Sequence, residues 1–294
     1  MGKALKKSFV NEAFILMAGM LWGIIGIFTR SLADSEVNTM LQVCMRTFFT
    51  ALCVGVFILF KDKSLFRIKL KHIPIFLGMG ILSYLVCNFT YMISITENSL
   101  SVASLFLNTA PIFVTFLSAI FFKEKITVIK ISALVIAICG CALVTLTNDI
   151  TCTTFGFVMG ICSGLGYAGY TMFGKVASKH YSAVTMLFYT FLFAGFGALP
   201  ISRFWELNLS AVAMTDFYLI LGMAIVTVLI PYALYNIGLK TVPAGKASIL
   251  ALTDPVVATV CGIFYGEGIK IAGVIGITMV ICAIILLNKN TVKQ

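Results

Sequence analysis

Apolar residues fall along this chain in ten long runs separated by short polar gaps. The runs cover 12–31, 39–60, 73–95, 99–121, 127–147, 154–178, 182–200, 215–239, 244–265 and 268–288. Each is close to the about 20 residues that a helix needs to cross the hydrocarbon core of a bilayer. The strict apolar/polar alternation of a barrel strand is absent. The pattern therefore predicts an all-α membrane protein with ten transmembrane helices, and gaps short enough for sequence neighbours to pack as antiparallel hairpins. The first run follows Lys3, Lys6 and Lys7 as the core of a signal peptide would. It lacks a small-x-small cleavage site and nine more runs follow, so it is expected to be a retained helix.

The charged residues orient these runs. If the N-terminus is cytoplasmic, the inside gaps hold Lys61, Lys63, Arg67, Lys69 and Lys71, then Lys123, Lys125 and Lys130, then Lys175 and Lys179, then Lys240 and Lys246. With both termini added, seventeen of the 21 basic residues lie inside. The outside gaps hold Arg30, Arg203 and Lys270 together with acids such as Asp34, Glu36, Glu97, Asp149, Glu206, Asp216 and Glu267. That asymmetry satisfies the positive-inside rule and predicts both termini in the cytoplasm and a plasma-membrane location. Losing any one span would scramble it.

Composition removes the other broad classes. The chain has 294 residues, 60% hydrophobic and 11% charged, with a mean hydropathy of +1.06. A soluble domain carries about 25% charged residues to cover its surface, and a disordered chain is poor in apolar ones. The net charge of +10 is an orientation signal, so no nucleic acid partner is implied. Of the nine cysteines all but Cys152 lie inside apolar runs. They read as buried packing residues rather than a disulfide framework. No metal site and no cofactor are expected.

The runs repeat. With Pro111 placed over Pro255, Tyr91-Met92-Ile93 falls on Tyr235-Asn236-Ile237, Ala103-Ser104 on Ala247-Ser248, and Thr109 on Thr253. At nearly the same offset Gly19 and Trp22 meet Gly164 and Tyr167, Phe28 meets Phe173, and Lys123-Glu124 meets Gly266-Glu267. Each half, 1–150 and 151–294, then holds five helices. Because five is odd, the second half enters the bilayer from the opposite side, the inverted repeat of alternating-access transporters.

These features resemble the EamA family of ten-helix transporters in the drug/metabolite transporter superfamily. The resemblance is carried by Trp22-Gly23, by Arg46, and by two blocks. The first runs from Ala103-Ser104 through Pro111 to Lys123-Glu124-Lys125-Ile126-Thr127; the second from Ala247-Ser248 through Asp254-Pro255 to Gly266-Glu267. It covers essentially the whole chain. The sequence departs from the family pattern at Asp254, where glutamate often precedes the proline, and at Lys123, where glycine is usual. The resemblance implies transport of small metabolites, often the export of amino acids or other compounds, along a pathway between the repeats.

Polar groups inside the apolar runs are the candidate site. Asp254 lies ten residues into its run, about 15 Å along a helix, where a central carboxylate costs about 2.5–3.5 kcal/mol. It reads equally as a proton-coupling acid in a wet cavity and as a partner of backbone groups freed beside Pro255. Arg46 sits seven residues inside the outer end of its run and is expected to anchor that helix, through carbonyls or an outer acid such as Glu36 or Glu97. Asn108 lies three residues before the helix-kinking Pro111, which frees a carbonyl about one turn upstream. It stands on a stripe with Ser101, Ser104, Thr115 and Ser118, where the serines read as packing residues.

Tyr84, Asn88 and Tyr91 recur at helical spacing, and Tyr232 and Tyr235 repeat them. With Trp22, Tyr167 and Tyr170 these side chains are expected to wall a cavity for an organic solute, against the alternative of plain aromatic packing. The substrate-binding candidates are thus Trp22, Tyr84, Asn88, Tyr91, Asn108, Tyr167, Tyr232 and Tyr235. No GxxxxGK[ST] loop is present, so a gradient must drive transport. An intramembrane enzyme is disfavoured: Asp254 is the one deep acid, His72 and His180 fall in gaps, and no catalytic residue emerges. A receptor or channel would not need the repeat. The expected partners are a small-molecule substrate and the lipid bilayer, with proton coupling open. The chain is expected to act as a monomer or a homodimer.

Overall fold

The computed structural model describes residues 2–33, 35–98, 100–145, 152–207, 212–264 and 270–291, with side chains described from 9 to 287 within those limits. Asp34, Asp149 and the Gly266-Glu267 pair of the second block lie outside the described residues. Among the described residues the chain is helical and contains no strand. The helical stretches are α1 (Phe9–Ser31), α2 (Thr39–Lys61), α3 (Leu70–Glu97), α4 (Leu100–Phe122), α5 (Val128–Thr145), α6 (Thr154–Ala177), α7 (Ala183–Ser202), α8 (Met214–Leu239), α9 (Ala244–Phe264) and α10 (Ile271–Thr291).

Over the described residues eight of these, all but α6 and α10, are long and apolar enough to cross a membrane, and α10 is apolar over its described part, Ile271–Leu287. In α6 the glycines and tyrosines that lower its hydropathy serve packing: Gly156, Gly160, Ser163, Gly164, Gly166 and Tyr170 are among its buried residues. Side-chain caps start several helices. Asn38 accepts the Leu41 amide at 2.9 Å, Thr153 that of Gly156 at 2.9 Å, and Ser182 that of Thr185 at 3.1 Å, satisfying donors that a helix start leaves open. The outer surface carries a belt of large apolar side chains, among them Phe60, Ile120, Val128 and Phe264, as hydrocarbon contact requires.

The packing follows a five-for-five exchange. α2 lies on α7, α5 on α10, and α4 meets α9. α6 packs on α3 and α4, and α1 packs on α8 and α9. Replacing each helix by the one five places along maps this set of contacts onto itself. α1 and α6 are therefore the two central helices, each crossing the pair from the other half.

Close backbone approach makes that crossing possible. A Cβ on Gly19 would stand 2.5 Å from the Ala251 carbonyl oxygen, and one on Gly23 2.5 Å from that of Asp254. In the other half a Cβ on Gly164 would stand 2.8 Å from the Phe106 carbonyl oxygen. These glycines seat α1 and α6 against the points where α9 and α4 are interrupted. α4 breaks after Leu107 and resumes at Ala110, one residue before Pro111. α9 passes through a single 3-10 turn, Ala251–Thr253, before Asp254 and Pro255.

Candidate functional site: an aromatic cluster between the two halves

α3 and α8 each depart from regular geometry, through π turns at Gly78–Leu85 and Ala224–Leu229. Such wider turns add a residue per turn, rotate everything beyond them, and are frequent at functional sites. In α3 the π segment carries Tyr84 and leads to Asn88; in α8 it leads to Tyr232 and Tyr235.

Tyr232 is the hub of the cluster that results. Its ring centroid lies 5.0 Å from Trp22 of α1, 5.6 Å from Tyr84, 4.8 Å from Tyr170 of α6 and 5.2 Å from Phe191 of α7. Trp22 also meets Tyr167 at 5.9 Å and Tyr235 at 5.4 Å. Most pairs are edge-to-face, the arrangement that sets a ring's positive rim against its neighbour's negative face. Tyr84, Tyr170 and Tyr235 are buried. Two hydroxyls are tied down: Tyr235 shares a hydrogen bond with Thr171 at 2.8 Å, and Asn236 donates to the Tyr170 hydroxyl at 3.0 Å.

Other polar atoms here have no protein partner. The indole Nε1 of Trp22, the hydroxyl of Tyr84, Nε of Arg46 and Oδ1 of Asp254 are all buried and make no hydrogen bond. Buried polar groups are almost always satisfied, so a group of orphans around one cluster singles it out as the candidate site.

Arg46 is where the structure departs most from the sequence reading. The expected partners Glu36 and Glu97 do not pair with it. The side chain turns inward from α2, is 5% exposed, donates through Nη2 to Oδ1 of Asn88, and lies 5.9 Å from the centre of the Tyr84 ring. The neutral amide sets that geometry: Asn88 Nδ2 donates to the Tyr84 carbonyl at 2.8 Å, which leaves its oxygen facing the guanidinium. A partner on another helix leaves no trace in sequence spacing.

Of the candidate residues, Trp22, Tyr84, Tyr167, Tyr232 and Tyr235 come together, with Asn88 alongside through Arg46. Tyr91 has no ring contact with them; its hydroxyl shares a 2.8 Å hydrogen bond with Ser104 of α4. Asn108 is buried in the interruption of α4. Asp254 is within electrostatic reach of Tyr91 and Tyr167, whereas Arg46 is within reach of Tyr84 and Tyr232. Asp254 and Arg46 make no ion pair with each other. Phe191 joins the cluster with no sequence signal of its own.

A second set of contacts closes the lysine-rich end. Glu124, in the gap between α4 and α5, accepts hydrogen bonds from the amides of Ala244 at 2.6 Å and Gly245 at 3.3 Å, and from Lys130 Nζ at 2.9 Å. Burial pushes its carboxyl up, but the Lys130 bond and charge and the two amides outweigh that and hold it below its ordinary value. Lys246 pairs with Glu12 at 2.8 Å. Lys175 donates to the carbonyls of Leu239 at 2.6 Å and Val242 at 2.7 Å, and Asn11 donates to Thr241 at 2.6 Å. Each of these contacts except the Glu124–Lys130 bond and the Lys175 pair joins a residue of the first 150 to one beyond it. The turn that aims Glu124 depends on Lys123, which takes the left-handed conformation at φ 55°, where glycine is the easier residue.

Comparison with known proteins fits this geometry. The model of the EamA-like transporter family matches twice, over residues 11–146 and 154–289. An uncharacterized transporter of Archaeoglobus fulgidus is 28% identical over 287 residues, covering 94% of this chain and 95% of that one. The uncharacterized transporter YwfM of Bacillus subtilis is 22% identical over 98% of this chain and 97% of its own. A solved crystal structure superposes with a TM-score of 0.81 over 94% of this chain and 96% of that one, at 15% identity, a likeness of fold alone.

Proposed function

The chain belongs to the EamA-like transporter family, and from that premise we propose that it is a secondary transporter, moving small organic metabolites such as amino acids or amphipathic compounds across the plasma membrane by alternating access, with export as the net direction. Its ten helices span the bilayer as two inverted five-helix repeats, 1–150 and 151–294, with both termini cytoplasmic. Support for the repeat comes from the double family match, the five-for-five packing, and the paired π turns and paired interruptions in corresponding helices. The observation that carries the reading is the aromatic cluster itself. It is built from both halves, deep in the fold, and holds orphaned polar atoms. Pathway binding sites of inverted-repeat transporters lie at that kind of place.

Substrate binding falls to Trp22, Tyr84, Asn88, Tyr167, Tyr232 and Tyr235, with Tyr91 and Asn108 at the α4 side of the pathway. Asp254, with its unpartnered Oδ1, is the group assigned to proton coupling. The buried contacts around Glu124 and Lys246 make this conformer one that is closed on the cytoplasmic side.

Counterflow in proteoliposomes tests the proposal. Vesicles preloaded with unlabelled amino acids, nucleosides, organic acids or organic cations should accumulate the matching labelled compound for at least one class. Tyr232→Ala should abolish that accumulation while the protein still folds. Asp254→Asn should keep counterflow but lose accumulation driven by a pH gradient. Gradient-driven uptake at the wild-type rate in Asp254→Asn would remove the acid from coupling.

A further inference from the structure

Arg46 carries a positive charge into the core of the fold, and the described residues offer it no counter-charge. A buried ion with a neutral partner is costly, and an arrangement of this kind persists where a ligand completes it. Nη2 is used on Asn88, Nε has no acceptor, and Asp254 makes no ion pair with it. Of the orphans named above, Asp254 Oδ1 is an acceptor and makes no bond with Arg46. The other three are on the donor side: Trp22 Nε1 and Arg46 Nε are donors only, and the Tyr84 hydroxyl has its proton free to donate. The Arg46 side of the site thus has a surplus of donors and of positive charge beside a wall of aromatic faces.

Resting on the transporter reading above, we infer that the transported molecule carries a carboxylate or a similarly flat oxyanion, which binds Arg46, and an apolar body that packs among Trp22, Tyr84 and Tyr232. A guanidinium presents parallel donors that match a carboxylate's two oxygens. The Asn88 amide, fixed by the Tyr84 carbonyl, acts as a positioning group that holds the guanidinium under the ring cluster. An organic cation meets like charge at the same place and is excluded.

Direct binding is the test, using three aromatic probes of one size: phenylacetate, phenylacetamide and phenethylamine. The chain has two tryptophans, and Trp205 is exposed, with its ring on Phe204 rather than on the cluster. Trp205→Phe therefore leaves Trp22 as the sole tryptophan, at the site, and excitation at the red edge of its absorption avoids the tyrosines. Phenylacetate should change Trp22 emission saturably and bind at least about tenfold more tightly than the amide, as a charge-assisted hydrogen bond predicts, and phenethylamine should bind least. Arg46→Gln should bring the carboxylate's affinity down to that of the amide and leave the amide unchanged. A merely structural arginine would weaken both alike. Equal binding of acid and amide, tighter binding of the amine, no saturable response to phenylacetate, or a preference that survives Arg46→Gln would each overturn the inference. If Arg46→Gln does not fold, the ranking of the three probes on the Trp205→Phe protein decides alone. Counterflow with the same probes separates this inference from the broader reading. Preferential binding of the acid, with no counterflow of any probe or of any compound class named above, would leave the carboxylate site standing as a binding site and remove transport. Counterflow that ignores the probe's charge would do the reverse.

Discussion

The two halves of the molecule match in backbone and differ in side chains. Each half has a π-turn segment in its third helix, Gly78–Leu85 in α3 and Ala224–Leu229 in α8. Each has a fourth helix interrupted before a proline, and a first helix seated on the other half's interruption by glycine. The side chains at corresponding places are unlike. Asn88 stands where the second half has Tyr232, and Arg46 on α2 has no charged counterpart among the described residues of α7. The first half supplies the charge and the amide, and the second most of the tyrosines. The shared backbone features are those that let helices bend and slide, and the unshared side chains are those that would recognise a solute. Symmetry thus belongs to the scaffold and asymmetry to the site.

The largest expected effect comes from breaking the shared part. Gly19→Val and Gly164→Val each push a side chain into backbone that cannot yield, and should destabilise the protein by about 3 kcal/mol. Gly26→Val, where nothing lies within 4 Å, should stay within about 0.5 kcal/mol. Thermal unfolding of the purified protein in detergent measures all three. A melting temperature for Gly19→Val equal to that of Gly26→Val would remove the close crossing of α1 and α9.

Next is the tie between the halves at the lysine-rich end. Glu124→Gln keeps the size of the side chain but removes the charge that holds Lys130 and the two α9 amides. It should weaken closure there by about 1–2 kcal/mol, or about tenfold in the population open to that side. The readout is the rate at which a cysteine placed at Ser248 of α9 reacts with an impermeant thiol reagent on that side. An unchanged rate would make the cluster a static support.

The smallest effect separates the tied hydroxyls from the free ones. Tyr235→Phe removes the bond to Thr171 and should cost about 1 kcal/mol. Tyr232→Phe removes a hydroxyl that bonds no described residue and should be near neutral in stability. Equal melting shifts for the two would mean that the Thr171 contact contributes nothing.

Much of this was legible in the sequence, and the limits have physical causes. Hydropathy shows the helices because hydrocarbon demands long apolar runs, and the prolines at 111 and 255 mark the interruptions. The ring-bearing candidates Trp22, Tyr84, Tyr167, Tyr232 and Tyr235 do meet, since central helices keep their polar rims inside. The partner of Arg46 was not legible, because its depth in α2 suits an outer acid while the amide that it bonds belongs to α3. The π turns leave no mark on a 3.6-residue period. Glu124 stood out as a repeat marker, but its role on α9 rests on contacts made about 120 residues away, which spacing does not encode.

Access to the central cluster is the most direct test of the central claim, that solute passes between the halves by alternating exposure of one site. A Cys-free protein carrying Tyr232→Cys can be labelled in oriented vesicles by an impermeant thiol reagent from each side in turn. The account predicts that the thiol is reached from either side but never from both at once, and that adding Glu124→Gln shifts labelling toward the lysine-rich side. Simultaneous access from both sides would describe a channel, and access from neither side under any condition would mean that the cluster is core packing and no pathway runs through it.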